Sequence, residues 1–67
     1  MKLGYKRKIG DLMFQILVVE DDKNTLKLMQ LLLEHEGYIV HTAVNGLDAL
    51  DQLDRQHVDL IVLDVMM

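Results

Sequence analysis

The chain has 67 residues, a net charge of −4, about half apolar side chains, and neither cysteine nor proline. That length holds one small domain at most, the apolar share argues against disorder throughout, and the lack of cysteine excludes disulfide staples and thiolate metal sites. Four bases against one acid make residues 1–12 basic, while ten acids against three bases make residues 13–67 acidic, which disfavours a nucleic-acid surface on the body.

Residues 1–12 read as a basic N-terminal extension, and the domain as 13–67, with Met13 a natural beginning. A basic start before "LMFQILVV" invites comparison with a signal peptide. That run, however, contains Gln15, ends in acids and offers no small-x-small cleavage site. It is also too short to span a membrane. "QILVVE" is a β-branched, apolar run suited to a strand buried on both faces.

Glu20, Asp21 and Asp22 follow that strand side by side, where neighbouring carboxylates repel one another beside a low-dielectric core. The spacing then predicts a helix from Lys23 to Glu36, with Asp22 as its N-cap and Gly37 as its left-handed stop. Thr25, Leu28, Met29, Leu32 and Leu33 form its apolar stripe, and Leu31 falls off it. "YIVHTA" (38–43) alternates more and reads as an edge strand. Asn45 and Asp48 make a capping-box variant that opens a second helix to about Gln56. Its expected inner face is Leu47, Leu50 and Leu53, with Ala49 a further candidate. "DLIVLDVMM" supplies a third strand, with Asp64 breaking its apolar run.

The order β-α-β-α-β implies an α/β fold with a parallel sheet and right-handed crossovers. Either the strands lie in chain order, or the first is central with the third on its far side. The second arrangement, order 2-1-3, sets the two most apolar strands together and is preferred on burial. Parallel strands end at a common rim, where open α/β sheets bind ligands. Glu20 and Asp21 leave the first strand there and Asp64 leaves the third, so three carboxylates converge and a cation would relieve their repulsion. An all-oxygen set favours magnesium or manganese over zinc. An open magnesium site beside a carboxylate nucleophile suits phosphoryl transfer to an acyl phosphate. His35, His41 and His57 lack the spacing of a metal pair.

"ILVVEDDKNTLKLMQLLLEHEGY", "TAVNGLDAL" and "DLIVLDVMM" together resemble the first half of a response-regulator receiver domain of a two-component system, over about residues 14–67. The combination carries the resemblance: the acid pair, "NG-x-x-AL", and "D-x-M-M". It implies a truncated receiver at 13–67, the first half of a flavodoxin-like doubly wound sheet. Residue by residue it implies Asp64 as phosphoacceptor, Asp21 as a direct Mg2+ ligand, Glu20 as a ligand through water, and the Met66 backbone carbonyl as a further ligand. The implied partners are a sensor histidine kinase and an output domain outside this chain, for which DNA binding is one option. The resemblance further implies a cytoplasmic setting, without a membrane, and a phosphoacceptor rather than an enzyme with turnover.

The sequence ends at Met67, so the family's later strands, hydroxyl residue, switch aromatic and lysine are not in it. The bare third strand is expected to self-associate. A non-signalling structural fragment is the alternative. An Asp-nucleophile, Mg2+-dependent phosphohydrolase fits less well, because Glu20 stands where its first Asp belongs. A nucleotide or flavin binder would need a glycine-rich first turn, and "EDDKN" has none.

Overall fold

A computed structural model describes residues 14–63. The basic extension 1–12 and the expected site residues Asp64 and Met66 lie outside the described residues. The elements are β1 (Gln15–Val19), α1 (Lys23–His35), β2 (Ile39–Ala43), α2 (Gly46–Arg55) and β3 (Leu60–Leu63). All strands pair in parallel in the order β2-β1-β3, the arrangement that burial favoured.

β1 organises everything else. Ile16, Leu17 and Val18 are completely buried, because the strand has a neighbour on each edge and a helix over each face. Ile16 and Val18 pack against Leu26 and Leu33 of α1. Leu17 and Val19 pack on the opposite face against Ala43 and Ala49. The connection from β1 to β2 and the one from β2 back past β1 to β3 run in opposite directions, so right-handed crossovers put the two helices on opposite faces. At the sheet's amino end, Gln15 and Asp59 lock β1 to the start of β3: each backbone N–H finds an acceptor on the other residue, both at 2.8 Å.

The helix ends are as the sequence predicts. Asp22 caps α1, and Gly37 (φ 98°) closes it in the left-handed region that favours glycine. Gly37 N–H donates to Glu34 O and Tyr38 N–H to Leu33 O, the paired bonds of a Schellman stop. The buried faces agree only in part with those expected, which included Met29, Leu33 and Ala49. On α1 the core-facing residues are Leu26, Met29 and Leu33, while Leu28 and Leu32 are 57% and 59% exposed. α1 is apolar on two overlapping stripes, so periodicity alone cannot choose which meets the sheet.

On α2 only Ala49 is buried, and Leu47 is 81% exposed. The short Ala49 side chain lets α2 lie close over Leu17 and Val19, which turns the flanking leucines aside. Among the described residues both helices lie over β1 and β2, and neither comes over β3. Leu60, Ile61 and Leu63 are consequently exposed, while Val62 packs beside the Ile16 cluster.

These burial differences make a direct test. Leu33→Ala should cost about 2–5 kcal/mol, the usual range for deleting a buried leucine. Leu32→Ala should cost less than about 1 kcal/mol, as surface changes do. Urea titration of the two variants compares them, and equal midpoints would contradict the orientation of α1.

Candidate functional site

The carboxyl ends of the strands share one rim, and β1 delivers three acids to it. Sheet pairing continues one residue past β1, where Glu20 N–H donates to Ala43 O at 3.0 Å. This draws Glu20 into the protein, and it is only 3% exposed. Its Oε2 accepts from the Asp22 N–H at 2.8 Å. Its Oε1 is buried and has no hydrogen-bond partner among the described residues. A buried acceptor without a partner costs about 1–3 kcal/mol, and more when charged.

Asp21 and Asp22 are both exposed, with separate roles. Asp22 is the N-cap: Oδ1 accepts from Asn24 N–H at 3.0 Å, and Oδ2 from the Thr25 hydroxyl at 3.0 Å. Asp21 takes no part in that cap. Thr25, assigned by periodicity to the apolar stripe, thus serves the rim as well. The Asp-x-x-Thr spacing was the available signal for this, since a residue three positions into a helix faces its N-cap.

The other acids near this rim are accounted for locally. Asn45 Oδ1 accepts from Asp48 N–H at 2.8 Å, while Asp48 Oδ2 reaches back to Val44 N–H at 3.0 Å. The expected capping box is therefore present, extended by one residue. The histidines lie elsewhere. His41 Nε2 meets Gln15 Oε1 and His57 Nε2 meets Asp59 Oδ1, each at 2.9 Å, around the amino ends of β1 and β3. His35 sits in the last turn of α1.

The orphaned Glu20 Oε1 and the exposed Asp21 suit a hard cation that prefers oxygen ligands. Among the described residues no three His, Cys, Asp or Glu groups come together around a metal position. Asp64, the third carboxylate expected from the sequence, lies outside the described residues, as does Met66. Val19 pairs with Leu63, so the carboxyl ends of β1 and β3 lie side by side. That is where the strand order reverses and where open α/β sheets bind ligands.

A family pattern described as "Response regulator receiver domain" matches residues 16–67. Among curated proteins, the chain is similar to "Response regulator ArlR" of Staphylococcus aureus strains Mu50 / ATCC 700699, MW2 and COL. In each case 46% of residues are identical over 55 positions, covering 82% of this chain and 25% of the relative. The chain thus spans about a quarter of the length of these relatives. No solved structure gives a significant match.

The cap geometry separates charge from hydrogen bonding at Asp22. Asp22→Asn keeps an acceptor for Asn24 N–H and should alter stability little. Asp22→Ala should lose about 1 kcal/mol, the typical worth of such a cap. Thermal melts of both variants decide it, and an Asn variant as unstable as the Ala variant would assign the effect to charge.

Proposed function

Because this chain belongs to the response regulator receiver family of two-component signalling, we propose that it takes a phosphoryl group from a sensor histidine kinase onto Asp64. One observation carries the reading more than any other: Glu20 Oε1 is buried, without a partner among the described residues, at the rim that β1 shares with β3. In the proposed site Asp21 binds Mg2+ directly, Glu20 acts through water, and Asp64 and the Met66 backbone carbonyl complete the ligands. Asp64 follows β3 by one residue and Met66 by three. When bound, the metal offsets charge on the phosphoryl oxygens.

An Asp64 carboxylate oxygen forms the new P–O bond as the P–N bond to the kinase's phosphohistidine breaks, and the histidine nitrogen leaves with the electron pair. Glu20 and Asp21 hold the cation and do not react. The chain is thus a phosphoacceptor that passes a signal, rather than an enzyme with turnover. We place it in the cytoplasm, coupled to an output domain elsewhere in the protein. Among the described residues no helix is long and apolar enough to cross a membrane.

We also propose self-association along β3 wherever no further strand covers it. Among the described residues β3 pairs with β1 on one side and with no strand on the other, and Leu60, Ile61 and Leu63 are exposed along it. Its sequence has no proline or lysine to discourage pairing. Ile61→Lys suits a test better than Val62→Lys, because Val62 packs into the Ile16 cluster. Sedimentation should show the wild-type chain associating and Ile61→Lys shifted toward monomer. A monomeric wild type would end this reading.

In a receiver carrying this segment, a small acyl phosphate with Mg2+ should add one hydroxylamine-sensitive phosphoryl group. Asp64→Asn should abolish it, and mass spectrometry that finds the group on a histidine would overturn the assignment. Asp21→Asn should weaken Mg2+ binding far more than Asp22→Asn, as measured by titration calorimetry. Equal losses would contradict the division between ligand and cap.

A further inference from the structure

We propose that Asp22 is a positioning residue for the metal site, acting on Glu20 through its backbone N–H rather than through its negative charge. This rests on the reading of Glu20 as part of a cation site. Glu20 is 3% exposed, and among the described residues its carboxylate receives one hydrogen bond, from the Asp22 N–H to Oε2 at 2.8 Å. With Oε2 already accepting a hydrogen bond, Oε1 is the oxygen of Glu20 that has no partner among the described residues and faces a cation or its water bare.

The donor is itself fixed on the other sides of its residue. Asp22 O accepts the first helical hydrogen bond from Leu26 N–H at 2.8 Å. Its carboxylate holds Asn24 N–H and the Thr25 hydroxyl, each at 3.0 Å. The residue therefore binds forward into α1 with its side chain and carbonyl, and backward to Glu20 with its amide. A cap requires only the forward contacts. The backward one orients the most buried carboxylate at the rim.

Two variants separate these functions. Asp22→Ala removes the cap and keeps the N–H. Asp22→Pro removes both, and the backbone there (φ −83°, ψ 113°) lies close to what proline's ring permits. Because both variants lose the cap, their difference in Mg2+ affinity reports on the N–H. Titration followed by amide NMR should find Asp22→Pro at least about tenfold weaker than Asp22→Ala, in line with the loss of a hydrogen bond to a charged acceptor. Equal affinities would overturn the proposal.

A metal-free measurement needs no folded proline variant. Hydrogen exchange at the Asp22 amide should be slow in the wild-type chain and in Asp22→Ala, and fast in Glu20→Ala. Rapid exchange in the wild type would remove the clamp whatever the metal does. A protected Asp22 amide in a chain that takes no Mg2+ would support the clamp and remove the metal reading instead.

Discussion

The double-sided burial of β1 is the constraint on which the rest of the structure depends. Ile16, Leu17 and Val18 reach complete burial only if both edges of the strand are paired and both faces are covered. With two other strands and two helices among the described residues, that demand selects β1 as the centre. It also distributes one helix to each face. Chain-order strands would have left β1 at an edge with its hydrogen-bonding groups open, while a more polar strand took the central place.

The same constraint creates the site. A strand buried on both faces carries the residue that follows it into the protein as well, and here that residue is Glu20, whose N–H donates to Ala43 O on one side. The core thus places a carboxylate where water is largely excluded. It leaves one oxygen with a partner and one without. Burial that stabilises the fold and an unsatisfied acid that suits a cation are two results of one strand placement.

The three acids after β1 illustrate how adjacent charges coexist. Glu20 is turned inward and hydrogen-bonded, Asp22 is stabilised by the Asn24 N–H, the Thr25 hydroxyl and the dipole of α1, and Asp21 remains at the surface between them. Repulsion is relieved by different means at each position, which leaves Asp21 and one oxygen of Glu20 for a ligand.

Much of the architecture was legible in the residues themselves. Asp22, Gly37 and Asn45 mark helix ends because capping depends on local hydrogen bonding and local dihedral angles. The order of the strands follows from their relative apolarity, because the most apolar run must take the most buried place. The helix faces were legible only in part, since Met29, Leu33 and Ala49 were named among wrong neighbours. α1 carries leucines around much of its circumference, and only docking on Ile16 and Val18 selected Leu26, Met29 and Leu33 over Leu28 and Leu32. On α2 the close approach to the sheet favoured small Ala49 over the larger leucines. The Glu20 clamp belongs with these. Sequence identifies an acid at a strand end, but its burial, its bond to the Asp22 amide and its bare second oxygen arise from the neighbouring strand and helix packed around it.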